Sequence, residues 1–484
     1  MTGVVLPFTQ QPFNSPLPVI QPLVKKSNVK NVPYVPPEII RIILALLKDD
    51  KKTLTACALV NHTFNLHVTP ILYHTVSFSF PYTFTLFAKA TIGESQRSRM
   101  IRHLDLSGFS TIGLQKSNAT IQTVVTPEIL INILRSCTML EAFSVSETLE
   151  SAITFEVLQV LAFELKTIQT LDFCGLSSKQ FGSALASLAE VMGRVRLIQY
   201  YENDDEEPTY SFQKANNVAL SHLKRLSLHE CPTISEFSTI LTLLAHAPNL
   251  THLDLGGCSI SDMTLNFLAT GTNASRTLTH LLLARCKNIS SEAIATLISQ
   301  CGNLKVLNLY GDRDIATAIS EYDLITILSS PSAKQFQTLD IGSSHITPRV
   351  LYAIQENCTF NLQHLGIAKA QIPSTSHLNQ FLNAMPSIQY IDLTAATCLT
   401  PINMSCLLNN LQKDHSLHTV EMSEPLLKKL GATKGWKINE NFSRRCYYTK
   451  LSSGGRKVHP RKLDVAESGS DRMSKIFKYY SFDV

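Results

Sequence analysis

A six-residue spacing, apolar-x-x-apolar-x-apolar, returns twelve times along this chain and constrains it more than any other feature. It begins at Ile101 (IRHLDL), Leu140 (LEAFSV), Ile168 (IQTLDF), Val195 (VRLIQY), Leu223 (LKRLSL) and Leu250 (LTHLDL). It continues at Leu278 (LTHLLL), Leu304 (LKVLNL), Phe336 (FQTLDI), Leu362 (LQHLGI), Ile388 (IQYIDL) and Leu417 (LHTVEM). Successive starts lie 39, 28, 27, 28, 27, 28, 26, 32, 26, 26 and 29 residues apart. A motif that recurs at so even a step describes one unit stacked many times, because no single unit can bury its own apolar face. Side chains of a strand alternate between faces, so Leu253 and Leu255 turn inward while His252, Asp254 and Gly256 turn outward. Turn-forming stretches such as GGCSIS, CKNISS and CPTISE follow the strands. Apolar-periodic helices come next, carrying Leu265, Phe267 and Leu268 in one unit and Ile294, Leu297 and Ile298 in the following one.

The step fits the roughly 20–29 residues of a leucine-rich repeat. Cysteines recur within the frame: Cys174, Cys231, Cys258 and Cys286 just past strands, and Cys137, Cys301 and Cys358 at helix ends. The array thus resembles the cysteine-containing subclass of leucine-rich repeats. The thiols are read as small apolar fillers of tight turns. Helices are wider than the strands they back, so the stack is expected to bend with its strands on the concave side.

Composition agrees with a long, folded chain. At 484 residues it exceeds the ~250–300 over which one compact core keeps growing. Hydrophobic residues make up 44% and charged residues 17%, below the roughly one quarter of ordinary domains, which excludes a disordered polyelectrolyte. No apolar run reaches eighteen residues, so no membrane helix is expected, and the N-terminus lacks the layout of a secretory signal. The eleven cysteines are odd in number and contain no CxxC pair, which argues against a disulfide framework or a zinc ribbon. Reduced thiols in a cytoplasmic and/or nuclear protein are expected. The net charge is +5, of which residues 431–484 contribute +7, leaving −2 on the first 430. No aromatic stacking motif accompanies this basic tail, so it is read as a solvated extension, with no nucleic-acid partner expected.

Ahead of the repeats, a proline-containing arm without acidic residues covers 1–31. Between Val32 and Phe78 the chain then reads VPYVPPEIIRIILALLKDDKKTLTACALVNHTFNLHVTPILYHTVSF. Pro36-Pro37 suits a helix start. Ile39, Ile43, Leu46 and Leu47 mark one helical face, with Ile40 and Leu44 beside it. A second helix carries Leu54, Ala58 and Leu59, and a third starts near Asn61 with Phe64 and Val68, ahead of Pro70. Three short helices in about 45 residues close too small a core, so the leftover apolar surface should be an interface.

This segment resembles the F-box: VPPEIIRIILALL matches its proline-glutamate start and leucine/isoleucine helix, ACALVNHTFN its second part, and PILYHTVSF its exit into the first repeat. Phe64 stands where that family usually has tryptophan. Joined to a leucine-rich array, the segment resembles the F-box leucine-rich-repeat proteins. The resemblance implies the substrate-recognition subunit of an SCF-type (Skp-cullin-F-box) ubiquitin ligase. Its F-box would bind the Skp-family adaptor, and through it a cullin/RING ligase, while its repeats hold the protein to be ubiquitylated. The adaptor-facing residues it implies are Val35, Pro36, Pro37, Ile39, Ile40, Ile43, Leu59, Val60 and Phe64; Leu44 and Leu46 are read as helix core. The alternative is a non-catalytic scaffold or inhibitor that sequesters a protein partner without ubiquitylation.

The expected fold is therefore α/β: the arm, a three-helix F-box over 32–78, a leucine-rich-repeat solenoid or horseshoe of about twelve repeats over 79–430, and a basic extension over 431–484. Neither GxxxxGK, HExxH nor GxSxG occurs, as suits a non-catalytic receptor subunit without cofactor or metal. The concave strand face offers His103, His252, His280 and His364 at one position, and Asp105, Asp172, Asp254, Asp340 and Asp392 two residues on. Arg225, Tyr201, Tyr310 and Tyr390 are the expected anchors for a protein substrate. The acidic run 202–207 is read as a solvated loop. Trp436, Phe442, Tyr447 and Tyr448 are aromatics suited to capping the last repeat.

Overall fold

The structure, a computed structural model, describes residues 35–48, 50–78, 80–93, 96–109, 118–200, 209–213, 218–311, 319–411, 415–430, 436–439 and 446–450. The arm 1–31, Tyr201, the acidic run 202–207, Phe442 and most of the basic extension lie outside them. The chain divides into two units, 1–67 and 68–484.

The first unit carries α1 (Pro37–Leu46), α2 (Lys51–Ala58) and the start of α3 (His62–His74). Each start has a local cause. Pro36 sets the entry to α1; Asp50 caps α2, accepting from the Thr53 amide at 3.0 Å and its hydroxyl at 2.7 Å. Asn61 caps α3, accepting from the Phe64 amide at 2.8 Å. The expected stop before Pro70 does not occur: α3 runs through it to His74. The carbonyl that proline leaves without its helical donor belongs to Leu66, an exposed residue, where water can satisfy it.

The second unit is built on strands β1 (Thr75–Ser77), β2 (His103–Asp105), β3 (Ala142–Ser144), β4 (Thr170–Asp172), β5 (Arg196–Tyr200), β6 (Thr209–Gln213), β7 (Arg225–Ser227) and β8 (His252–Asp254). It continues with β9 (His280–Leu282), β10 (Val306–Asn308), β11 (Thr338–Asp340), β12 (His364–Gly366), β13 (Tyr390–Asp392), β14 (Thr419–Met422), β15 (Trp436–Asn439) and β16 (Cys446–Lys450). Twelve of these pair in parallel in chain order, β5 and β6 being skipped. Helical turns lie between rungs, which makes the unit an α/β solenoid.

Eleven of the twelve motif sites form rungs of this sheet, and VRLIQY does not. Among the described residues its strand, β5, pairs only with β6, in a separate antiparallel hairpin, while β4 pairs directly with β7, Leu171 opposite Leu226. The helix Lys179–Met192 ends at Gly193, whose φ of +94° turns the chain out of the stack before β5. A spacing of apolar residues specifies a strand with an apolar side; it does not say which neighbour takes that strand's hydrogen bonds. The count of twelve survives because β1, within the F-box exit segment, pairs with β2 and opens the sheet. At the other end, β16 pairs antiparallel with β14 and β15 with β16, so a hairpin with buried Trp436 covers the last rung's edge. Tyr447 and Tyr448 sit in that hairpin opposite Glu421 and Val420.

The inward residues of the motif, among them Leu104, Leu253, Leu281, Leu307, Leu339 and Leu365, belong to one continuous buried core. Two hydrogen-bond ladders tie consecutive repeats. Asn249, Asn303 and Asn361 each donate a side-chain amide at 2.7 Å to a carbonyl one repeat earlier, those of Ser221, Arg276 and Lys334. Cys231, Cys258 and Cys286 donate their thiols to the Phe173, Leu228 and Leu255 carbonyls at 3.2, 3.0 and 3.2 Å. Burial pushes these thiols up, Cys286 to about 12 and the other two well above the ordinary range. They therefore stay protonated donors rather than nucleophiles.

Candidate functional site

On the helical head, α1 presents two faces of opposite fate. Ile40 and Leu44 are buried. Ile39 and Ile43 remain about half exposed, at 46% and 50%, and Leu46 is 81% exposed. These three positions, i, i+4 and i+7, lie on one stripe. The expectation that Ile40 faces the adaptor is thus corrected: it is part of the core. So is the reading of Leu46 as core, since it continues the exposed stripe. The 3.6-residue period sets Leu44 and Leu46 about 200° apart around the helix, so both cannot be buried against one side. Val35, Leu59 and Val60 are exposed as well, at 45%, 83% and 64%; Pro36 is exposed, while Pro37 and Phe64 are half-buried. Two polar contacts fix the helices beneath: Asn65 donates to the Ala58 carbonyl at 3.0 Å, and Arg41 Nε reaches His67 Nδ1 at 3.3 Å.

On the strand face, the two predicted columns behave differently. His103, Arg225, His252, His280, His364 and Tyr390 keep part of their surface open to solvent. The carboxylate column does not offer a binding surface. Asp172, Asp254, Asp340 and Asp392 are buried and Asp105 half-buried. Each Oδ1 accepts from the amide two residues on, at 3.0 Å for Asp105, 3.2 Å for Asp172, 2.9 Å for Asp254, 3.0 Å for Asp340 and 2.9 Å for Asp392. Asn308 repeats the arrangement with Tyr310. Carboxylates read from the sequence as client contacts are therefore Asx-type caps that start each turn.

His252 and His280 face each other on adjacent rungs, their rings stacked with centroids 3.8 Å apart. Their protonation follows from proton counting. The Thr251 hydroxyl donates to the Lys224 carbonyl and the Thr279 hydroxyl to the Thr251 carbonyl, so both accept from the neighbouring imidazole Nδ1, at 2.8 and 2.9 Å. Each Nε2 then carries a lone pair. Burial, the facing His280 and the Arg225 charge push His252 down to about 3, so that imidazole is uncharged at neutral pH. His103 is likewise lowered, by burial first and the nearby His74 second. Among the described residues no group of three or more His, Cys, Asp or Glu is placed to hold a metal ion.

Tyr310 lies two residues past β10 rather than on the strand face, at a rim that the sequence reading did not single out. There His229 Nδ1 is 3.2 Å from Asp254 Oδ1, and Arg285 donates to Glu230 at 2.8 Å. Arg285 and Lys369 both lie over the Tyr310 ring, each 5.8 Å from its centroid. The sequence signal for this rim was weak: charged residues in the turns, at no fixed spacing.

The fold and these surfaces define the class first, a short helical domain bearing an exposed apolar stripe, joined in sequence to a leucine-rich α/β solenoid. The sequence model of the COS11 F-box domain matches residues 32–112. The chain thus carries a segment similar to the COS11 F-box, followed in sequence by leucine-rich repeats. Leucine-rich repeat-containing protein 14 of Bos taurus and of Homo sapiens are each 35% identical to it over 95 residues, 19% of this chain. The match spans only 19% of the length of those curated relatives. Among solved structures, the yeast Rad7–Elc1 complex aligns at a TM-score of 0.36 and 11% identity, over 79% of this chain and 90% of that one. LegL7 of Legionella pneumophila, a leucine-rich repeat-containing protein, aligns at 0.37 and 15%, over 77% and 97%. No described helix is long and apolar enough to cross a membrane.

Proposed function

We propose that this protein is the substrate-recognition subunit of an SCF-type ubiquitin ligase, acting in the cytoplasm and/or nucleus. The F-box match at 32–112 carries the reading, together with the exposed stripe Ile39, Ile43 and Leu46 and its exposed neighbours Val35, Leu59 and Val60. So much apolar surface on so short a domain is expensive in water at about 25 cal/mol per Å², and a partner helix or groove that covers it recovers that free energy. The Skp-family adaptor is that partner, linking the head to a cullin/RING ligase, and the repeats hold the client. The subunit itself performs no chemistry: it raises the concentration of client near the ligase.

Co-purification of the full chain with a Skp-family adaptor tests the head. The wild type should retain the adaptor, and the Ile39→Asp/Ile43→Asp double variant should lose it by at least about a hundredfold, since both side chains would sit in a desolvated interface. Retention by that variant sinks the assignment. Client binding without client ubiquitylation in a reconstituted ligase would instead leave the scaffold reading standing.

A further inference from the structure

Seven rungs of the solenoid end in the same turn, in which the third residue past the strand has a positive φ, and in six of them its amide bonds to the next rung. Glycine fills that place at Gly175 and Gly257, with φ of +84° and +74°. Glu230, Arg285, Ser343, Lys369 and Ala395 fill it elsewhere, at +55°, +59°, +67°, +53° and +54°. The amides of Glu230, Arg285 and Lys369 reach the Gly256, Tyr310 and Thr394 carbonyls at 2.7, 2.8 and 2.7 Å. Residues with a Cβ adopt this conformation rarely, and glycine takes it without strain. Ala395 shows that the turn itself asks for no charged side chain, yet three of these positions carry one.

Those three charges converge. Glu230 holds the Arg285 guanidinium at 2.8 Å, and Arg285 and Lys369 lie over the two-sided ring of Tyr310 at 5.8 Å each. The ring is seated by the absence of a side chain at Gly342, where a Cβ would meet Tyr310 Cδ2 at 2.6 Å. Strain at a fixed backbone position, kept for side chains that meet on a preorganised aromatic, points toward recognition rather than folding. The guanidinium has five N–H donors, of which Glu230 engages part. Carboxylates that would repel an anion from the neighbouring strand face are buried in their turn caps, as described for Asp254 and Asp340.

We propose that the Arg285–Tyr310–Lys369 rim binds an anionic group, a carboxylate or a phosphate, on an extended segment of the client protein. The proposal deepens the client-holding role given to the repeats and rests on it. Glu230 is its internal competitor: it positions Arg285 over the ring and must share it when the anion arrives.

Fluorescence anisotropy on the purified full chain with its adaptor tests this, using four dye-labelled peptides of one framework: Glu-containing, phosphoserine-containing, Gln/Ser-substituted and Lys-containing. At least one anionic peptide should bind about tenfold or more tighter than the uncharged one, and added salt should weaken it. The two anionic arms distinguish a carboxylate client from a phosphorylated one. Arg285→Gly and Lys369→Gly should each lose about tenfold in that affinity, the scale of one charge-assisted contact, while melting at or above the wild-type temperature because glycine relieves the turn. Glu230→Gln should tighten binding about threefold by releasing Arg285. Should a glycine variant melt lower, Arg285→Gln, which keeps the turn's Cβ, must still lose the affinity. Equal binding of the uncharged peptide, no binding of either anionic one, or full affinity in the Arg285 and Lys369 variants overturns the proposal. If the adaptor still co-purifies in that case, the receptor reading stands and only the rim falls.

Discussion

The head and the solenoid treat their apolar and polar groups in opposite ways. In the head, a helix of ten residues buries Ile40 and Leu44 and leaves Ile39, Ile42, Ile43 and Leu46 exposed. In the solenoid, the inward leucines are buried without remainder, and even outward-pointing aspartates turn back to satisfy their own chain. The difference has a physical source. Each rung from β2 to β14 has a neighbour strand on either side, the hairpin β15–β16 supplying the last one, so the inward faces are covered by adjoining repeats. Among the described residues of their own unit, the short helices have no such neighbour, and Ile39, Ile43 and Leu46 stay exposed. Exposed apolar surface therefore marks the head, and a buried, repeat-on-repeat core marks the solenoid.

Substitutions of similar size should part these regions sharply. Leu253→Ala removes a fully buried side chain from the middle of the stack and should cost about 2–5 kcal/mol, read as a lower denaturant midpoint. Leu46→Ala, at 81% exposure, should shift that midpoint by less than about 0.5 kcal/mol while weakening adaptor capture. The reverse outcome would break the contrast. Gly342→Ala probes how tightly adjacent rungs nest, because its Cβ would meet the Ala368 carbonyl at 2.8 Å as well as Tyr310. A loss of about 1–3 kcal/mol is expected, since backbone cannot step aside as a flexible side chain can. Asn303→Ala should cost less, about 1 kcal/mol, as it removes one ladder bond whose acceptor carbonyl lies where water can replace it.

How far the sequence could be read follows the same division. The apolar spacing revealed eleven rungs, because an inward leucine column is a property of each unit separately. It misassigned VRLIQY and missed β1, because pairing is a property of two segments and leaves no mark in either alone. The Asn249, Asn303 and Asn361 ladder was visible as Asn-Leu before the motif, though nothing in one repeat says that its amide reaches the preceding one. The histidine and aspartate columns were placed on the right strands, but the fate of the aspartates depended on a turn two residues away. In the head, the amphipathic pattern of α1 was legible, while the choice between Leu44 and Leu46 as core needed the direction in which the neighbouring helices lie.

The smallest expected effect concerns His229, whose charged form the rim favours. Burial alone works against the imidazolium of His229, but the Asp254 charge and hydrogen bond, with Glu230 adding to them, outweigh that and the opposing Arg285, so its pKa lies above the ordinary value. A group whose pKa is raised on folding contributes stability that is fully present below its unfolded value, near 6.5, and is lost as pH rises through the folded value. Wild-type stability minus that of His229→Gln should therefore shrink as pH rises from below 6.5 toward the alkaline side, by an amount on the order of 1 kcal/mol or less. Urea midpoints of both proteins across that range measure it, provided the glutamine keeps its seat against Gly256, whose missing Cβ makes room for the imidazole. A difference that stays flat would mean that His229 is held by packing alone. A difference that grows with pH would reverse the sign and require the imidazole to be neutral in the folded protein. The expected decline would show that the solenoid's saturation extends to its charges, with Asp254 serving at once as the cap of its own turn and the counter-ion of the rung before it.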